Sequence, residues 1–294
     1  MKFSVIIPTY NRIDFLEKAI ESVHKQTYQG FEIIVVNDNP HEKSKIDLLI
    51  TKFDKTKVIH HSSSKGGNAA RNTGILHSQG ELIAFLDDDD VWLPEKLTLH
   101  LKEHQKNLTA GLVFSDCLYV FNNKNIADHV YSAPVPNNVI DAMSKAKFCP
   151  ATSSIVSIKR DCVTKCGLFD ESLVSFQDWD YWFRIAQKFK FVHIPAVLVH
   201  FRQHLGDRTS HNEEKRRKGL NQIINKWKDK INVNEFSRSF IISIYYKNSK
   251  NLLVSGDKLT AFRKSFKLLN LEVLSISSVK KFIRLSLELA SIKK

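Results

Sequence analysis

The sequence predicts an α/β protein built on a mostly parallel, Rossmann-like sheet with helices on both faces. Short, nearly continuous apolar runs alternate with segments of helical periodicity through residues 3–106. Each run ends in a cluster of polar residues. One of them, Glu81-Leu82-Ile83-Ala84-Phe85-Leu86, ends in four consecutive aspartates, Asp87, Asp88, Asp89 and Asp90.

Residues 3–9 read as the first strand, and residues 12–26 place Phe15, Leu16, Ala19, Ile20 and Val23 on one helical face. Residues 31–36 are a β-branched run stopped by the turn cluster Asn37-Asp38-Asn39-Pro40. A helical segment near residues 42–53 leads to a short strand at Val58-Ile59-His60-His61. Gly66-Gly67 opens a helix over about residues 68–78, and Gly80 stops it before the strand at residues 81–86. Pro94 suits the first position of a helix reaching about Lys106. Residues 112–121, 153–159 and 191–201 read as further strands, and the stretch around Tyr131-Ser132-Ala133-Pro134 as an irregular loop. Residues 175–184 begin with acids and continue as an amphipathic helix. After Ser210 the pattern is helical and basic to the end.

Ligands of such sheets sit at the carboxyl ends of the strands. Thr9-Tyr10-Asn11-Arg12, Asn37-Asp38-Asn39, residues 61–65 and the four aspartates all lie at those ends, so they are expected to converge on one cleft. Crowded carboxylates are unfavourable without a nearby cation. A hard divalent ion would relieve them and points to chemistry on phosphates; the alternative is an acidic turn capping the next helix.

Composition sets bounds. The chain has 294 residues, 43% of them hydrophobic, enough for one large domain or two modest ones. Its opening apolar run is short and interrupted by Pro8, and no stretch approaches the roughly 20 apolar residues of a membrane span. Cys117, Cys149, Cys162 and Cys166 form no CxxC pair and read as free thiols of a cytosolic protein. Residues 213–294 hold 19 Lys and Arg against 7 Asp and Glu, which is +12 of the total +13. That asymmetry suggests an anionic partner such as a membrane surface, an acidic polymer or nucleic acid; a solvated helical face is the plainer alternative.

Several signatures occur in order: Val5-Ile6-Ile7-Pro8-Thr9-Tyr10-Asn11-Arg12, Asn68-Ala69-Ala70-Arg71-Asn72-Thr73-Gly74, Phe85-Leu86-Asp87-Asp88-Asp89-Asp90, Gly167-Leu168-Phe169-Asp170-Glu171, and Asp178-Trp179-Asp180. Together they resemble the inverting family 2 glycosyltransferases of GT-A fold, over about residues 3–204. The resemblance implies transfer of a sugar from a nucleotide-diphosphate donor, a UDP-sugar above all, to a glycan or lipid-linked acceptor in bacterial surface-polysaccharide synthesis. It implies a nucleotide-sugar half (about 1–110), an acceptor half (about 111–211) and an added basic helical region (212–294). It also implies Mn²⁺ or Mg²⁺ held by Asp89 and completed by His204, with Asp87 and Asp88 on the ribose or a metal-bound water. Pro8, Tyr10 and Asp38 fall to base recognition, with Thr9, Arg12, Gly67, Asn68 and Arg71 on the nucleotide; Arg71 pairing with the acidic run is the other reading.

Asp178 is the implied general base, and Asp180 reads as a helix cap. Trp182 reads as core, whereas Trp179 is open between core and acceptor stacking. Two departures from the family pattern stand out: Asn37-Asp38 replaces paired acids, and Gln177-Asp178 replaces Glu-Asp.

Rival readings have less support. No GxGxxG follows the first strand and no P-loop is present, which argues against a dinucleotide oxidoreductase or a nucleotidyltransferase. No zinc-finger, homeodomain or RNP pattern accompanies the basic tail, so nucleic acid is not an expected partner. Peripheral attachment to the inner face of the membrane through residues 213–294 is expected, because basic and apolar residues interleave there. A transferase-like protein that only binds is the remaining alternative, resting on Gln177.

Overall fold

The protein was analysed as a computed structural model that describes residues 1–121, 129–150, 152–203, 212–254, 256–269 and 275–291. Strand β1 (Phe3–Thr9) lies between β2 (Phe31–Asn37) and β4 (Leu82–Phe85), parallel to both, and β3 (Thr56–His60) extends the sheet beyond β2. Apolar side chains point both ways from these strands because helices cover both faces. Helix α1 (Ile13–His24) buries Leu16, Ala19, Ile20 and Val23, the stripe expected from its spacing. Helices α2 (Lys43–Ile50) and α3 (Gly67–Leu76) complete the crossovers. The chain runs outward from β1 through β2 to β3 and then returns to β4 on the other side of β1. That reversal opens a crevice at the strands' carboxyl ends.

The second half joins the same sheet. After β5 (Val91–Trp92) and α4 (Lys96–Lys106) comes the long β6 (Ala110–Phe121), followed by β7 (His129–Tyr131) and α5 (Val139–Ser144). Strand β8 (Val156–Lys159) lies antiparallel between β4 and β6. Then come α6 (Arg160–Cys166), α7 (Gln177–Ala186) and β9 (Lys190–Gln203), the last parallel to β6 and antiparallel to β5. The order is β3-β2-β1-β4-β8-β6-β9-β5, with β7 paired to β6. The chain ends in α8 (Glu213–Trp227), α9 (Val233–Val254), α10 (Lys258–Ser265) and α11 (Ile276–Ser291). No helix among the described residues is long and apolar enough to cross a membrane.

Local readings gave way in four places. Residues 153–155 form a 3-10 turn rather than strand, because the Thr152 hydroxyl accepts from the Ser154 N–H and turns the chain before β8. Residues 132–134 are irregular as expected, but Tyr131 closes a short strand over residues 129–131; three residues are too few to show a period, and pairing with β6 decides their state. Helix α6 went unread because Cys162 is its one fully buried residue. Pro94 sits in the turn before α4, which begins at Lys96.

The main core runs from β1 through Trp182 and Phe183 of α7 and continues into Leu220 and Ile223 of α8, Ile231, and Phe236 of α9. A separate cluster forms around Ile242, Leu268 and Leu285. The four cysteines are free thiols.

Helix α3 approaches β1 closely at Gly74, where an added Cβ would overlap the Ile6 side chain. Gly74→Ala is therefore expected to cost about 1–3 kcal/mol through overpacking. In a thermal melt that appears as a drop in Tm of several degrees with the single transition retained.

Candidate active site

The four aspartates do not act as a group. They form a turn in which the Asp90 N–H donates to the Asp87 carbonyl at 3.0 Å, and this sends their side chains in different directions. Asp90 is fully buried and accepts from Ser154 Oγ at 2.6 Å and from the Arg202 N–H at 3.2 Å, so it ties the turn to the 3-10 turn before β8 and to β9. Asp88 accepts from Thr9 Oγ1 at 2.9 Å, and Arg12 Nη1 reaches both Asp88 (3.2 Å) and Asp89 (2.9 Å). Burial and the neighbouring Asp89 push the Asp88 carboxyl up to about 7, despite Arg12 and the Thr9 hydroxyl. The end of β1 thus meets the end of β4 through Thr9 and Arg12 on a crowded acid pair. Arg12 is held above its ordinary range by Asp88 and Asp89, against the effect of its own burial.

Asp87 faces the other way. It pairs with Arg71 Nη2 of α3 at 2.6 Å and accepts from Ser153 Oγ at 3.3 Å. Arg71 is nearly buried and its guanidinium feels Asp87 and Asp178 together, which raises it although burial opposes the shift. Asp178, the second residue of α7, is partly buried. Its Oδ1 has no contact with solvent and no hydrogen-bond partner, and the carboxylate receives the Ser153 N–H. Burial first, and then the Asp87 charge, lift the carboxyl to about 6 against the opposing pull of Arg71. The result is a partly buried carboxyl with one shielded, free acceptor oxygen, across one guanidinium from the acidic turn.

At the end of β2, Asp38 is spent on the protein itself. Oδ1 takes His61 Nδ1 (2.7 Å) and the Lys65 N–H (2.8 Å); Oδ2 takes Ser64 Oγ and the Gly66 N–H, both at 2.8 Å. These four bonds use the lone pairs of an ionised carboxylate, leaving none for an imide N–H of a ligand. Burial would raise this carboxyl, but the Lys65, His61, Gly66 and Ser64 donors hold it below its ordinary value. They also brace the 61–66 loop. Gly66 has φ +89 and ψ 164, a region costly for any residue with a Cβ. Gly67 follows, exposed at the N-terminus of α3, where helix N–H groups favour an anion. Pro8 is half-buried at the end of β1 and Tyr10 is 50% exposed beside it.

The Asn68 side chain is engaged by the loop at residues 170–173. Its amide donates to the Asp170 and Leu173 carbonyls at 3.0 and 3.2 Å. Asn72, one turn later, donates to the Phe169 carbonyl and Glu171 and accepts from the Phe169 N–H. Two of the sequence signatures are therefore hydrogen-bonded to each other. The i, i+4 spacing of the asparagines was the available signal; Ser153 and Ser154 offered none.

One expectation on α7 is corrected and one open reading is decided. Asp180 is not a cap: the N-cap is Phe176, and Asp180 is fully buried against Arg184 Nε (3.0 Å), Trp227 Nε1 (2.8 Å) and Lys226 Nζ (2.8 Å). Trp179, left open between two roles, is core: it is 3% exposed and stacks on Phe183 at 4.7 Å. Trp182 is core as expected. His204 lies outside the described residues.

Among the described residues no three His, Cys, Asp or Glu side chains converge as a metal cage. A magnesium-type ion is ordinarily held by one or two carboxylates together with substrate phosphates and water. The hard oxygen donors at residues 87–89, with Asp88 pushed up to about 7 by burial and crowding, fit that manner of binding.

A family model described as Glycosyl transferase family 2 matches residues 4–160. An uncharacterized glycosyltransferase of Bacillus subtilis, YwdF, is 31% identical over 200 residues, covering 68% of this chain and 73% of that one. One from Rickettsia bellii is 34% identical over 189 residues, 64% of this chain, but the match spans only 26% of the Rickettsia protein. The Escherichia coli protein WfgD, a UDP-Glc:α-D-GlcNAc-diphosphoundecaprenol β-1,3-glucosyltransferase, is 27% identical over 63% of this chain and 69% of its own. Two solved structures share the fold. Residues 1–349 of S. aureus TarS in complex with UDP-GlcNAc match at TM-score 0.59 and 17% identity, covering 97% of this chain and 79% of that one. The mannosyltransferase PcManGT of Pyrobaculum calidifontis, with GDP-Man and Mn²⁺, matches at TM-score 0.61 and 18% identity, covering 100% and 86%.

Asp38→Asn places an amide where the Lys65 and Gly66 N–H groups need acceptors, at a cost of about 1–3 kcal/mol. Because the folded carboxyl titrates below its ordinary value, its contribution is complete above about pH 4 and fades as pH falls further. Melts of wild type and Asp38→Asn are thus expected to differ most at neutral pH and to converge in acid.

Proposed function

Because the chain belongs to glycosyl transferase family 2, we propose that it moves a sugar, with inversion, from a UDP-sugar to a hydroxyl of a glycan or lipid-linked saccharide. One observation carries this reading: the buried, unpartnered Oδ1 of Asp178, on a carboxyl lifted to about 6, across Arg71 from the acidic turn. A base tuned close to the working pH is most effective. In this reading the acceptor hydroxyl gives its proton to the Asp178 carboxylate as its oxygen attacks the anomeric carbon from the side away from the diphosphate. One displacement inverts that centre, and Asp178 then releases the proton to solvent.

The donor is placed by the strand ends. Pro8, Thr9, Tyr10 and Arg12 hold the nucleotide side, and Asp38 acts by bracing the 61–66 loop. Gly67 and Asn68 stand at the N-terminus of α3, Arg71 holds Asp87, and Asp87 and Asp88 face the ribose. Asp89 and, by the family resemblance, His204 are the proposed ligands of Mn²⁺ or Mg²⁺. When bound, such an ion would offset the charge that develops on the departing diphosphate. The UDP-GlcNAc and GDP-Man complexes of the two structural neighbours support a nucleotide-sugar donor, and the Mn²⁺ of the second supports the metal. The lipid-linked acceptor in the description of WfgD supports a role in assembling a surface polysaccharide such as O-antigen, capsule or exopolysaccharide. Residues 1–110 would then serve the donor and 111–211 the acceptor.

Within residues 212–294 we assign α10 and α11 a membrane-facing role from the cytoplasmic side. Leu259, Phe262, Phe266, Ile283 and Leu287 are between 38% and 65% exposed. Ring contacts join Phe262 to Phe266 and Phe266 to Phe282, so α10 and α11 share one apolar patch. Arg263, Lys264, Lys267, Lys280, Lys281 and Arg284 come from the same segments. Apolar insertion with basic residues near the surface suits an anionic bilayer, each charge contributing about 1 kcal/mol.

Asp178→Asn is expected to lower transfer about 10²–10⁴-fold while the rise in Tm on adding UDP-sugar with Mn²⁺ is retained. In wild type, the ionised carboxylate is the active form, so the rate should fall as pH drops through about 6. Full activity in the variant, or a flat acid limb, would exclude Asp178 as the base. For the membrane role, the full chain should float with phosphatidylglycerol vesicles and not with neutral ones. A Phe262→Asp, Phe266→Asp, Ile283→Asp variant that floats as well as wild type would remove the patch from the reading.

A further inference from the structure

We infer that helix α8 is a splint for the base, and that Gln222 is a positioning residue holding residues 172–176, and through them Asp178, in place; this rests on Asp178 being the base.

The segment that presents Asp178 is poorly held by its own local structure. Helix α7 starts from Phe176, whose φ of 61 and ψ of 23 put a bulky residue in the left-handed region, and no side chain caps the helix. Such a conformation is strained for a residue with a Cβ and persists only when surrounding structure overdetermines it. Asp178 lies two residues further on, with one oxygen unpartnered and a single backbone donor on the carboxylate. Its position therefore depends on what clamps the preceding loop.

That clamp is one face of α8. The Gln222 side-chain amide docks on loop backbone as a strand partner would: Oε1 accepts the Val174 N–H at 3.1 Å and Nε2 donates to the Ser172 carbonyl at 2.8 Å. One turn earlier, Gly219 lets the helix touch Ser175; a Cβ there would lie 2.7 Å from the Ser175 Cβ. Arg216 rests its guanidinium on the Phe176 ring, 5.4 Å from the centroid. One turn later, Lys226 bridges Asp170 (2.6 Å) and Asp180 (2.8 Å), and the Trp227 indole adds a bond to Asp180. Positions 216, 219, 222 and 226 form a single helical stripe, and its contacts reach from residue 170 to residue 180. On the other side, Asn68 and Asn72 of the donor-side helix α3 grip residues 169–173. The loop that leads into α7 and Asp178 is thus held between the donor helix and α8. Helix α8 lies outside residues 4–160, the part matched by the family model.

A misplacement near 1 Å can cost catalysis up to about a hundredfold, so loosening one clamp point should be visible in rate before it is visible in folding. Gln222 is only partly buried, which makes Gln222→Ala in the full chain a tolerable variant; Lys226→Met, which loosens the same clamp elsewhere, is the second. Asp178 can be followed without any ligand through its side-chain carboxyl signal in aspartate-labelled NMR spectra, assigned with Asp178→Asn. In both clamp variants its titration midpoint should move from about 6 towards the ordinary carboxylate range as water enters. Amide exchange at residues 172–176 should quicken, with the remaining β1–β4 amides unchanged. With UDP-sugar, Mn²⁺ and a lipid-diphosphate saccharide as probes, kcat should fall about tenfold while donor KM stays within about twofold. An unmoved Asp178 titration with unmoved exchange at 172–176 in both variants would overturn the splint. Full transfer by Asp178→Asn would instead overturn the base reading, whatever the clamp variants do to the titration.

Discussion

A buried guanidinium between two carboxylates is the constraint on which the rest of the site depends. Arg71 bonds to Asp87 at 2.6 Å and feels the charge of Asp178 from within the same dry region. Without that cation, two acids approaching each other at low dielectric would hold a proton between them or drive the segments apart. With it, the acidic turn after β4 and the start of α7 can share one small volume. The geometry also leaves Asp178 in an intermediate state, lifted by burial yet not far enough to stay protonated at neutral pH. Arg71 can occupy that position because α3 lies against β1 at Gly74, where no side chain intervenes.

The strand ends contribute in different ways. The close of β4 supplies crowded charge, paired internally with Arg12 on one side and Arg71 on the other, and Asp88 is still lifted by burial and crowding. The close of β2 supplies a fully satisfied carboxylate, Asp38, whose work is to shape a neighbouring loop. The first arrangement keeps a carboxyl, Asp88, lifted by burial and crowding, and the second uses all four acceptor positions of Asp38 within the protein. Equal residue types at equivalent strand ends therefore have different chemistry available to them.

The C-terminal region divides by packing rather than by charge. Helix α8 shares the main core through Leu220 and Ile223 and grips the loop before Asp178. Helices α10 and α11 gather around a separate small cluster and leave aromatic and aliphatic side chains in solvent among basic residues. A uniform excess of Lys and Arg thus covers two physical situations, one supporting the proposed base and one suited to a lipid surface.

Local physics made much of this molecule readable in one dimension. The core strands of the first half and helices α1, α3 and α7 follow from periodicity and turn residues, which act over a few residues. The placing of polar clusters at the ends of parallel strands follows from the same pattern, as does the acidic run at residues 87–90. Tertiary structure alone decided how those four acids divide, because their partners Thr9, Arg12, Arg71 and Ser154 come from remote stretches of chain. It decided that Asp38 is saturated, that Asp180 faces Lys226 and Trp227 instead of capping a helix, and that Trp179 is core. Whether a carboxylate is free, paired or lifted in pKa depends on burial and on neighbours brought together by folding, and residue order carries no direct record of either.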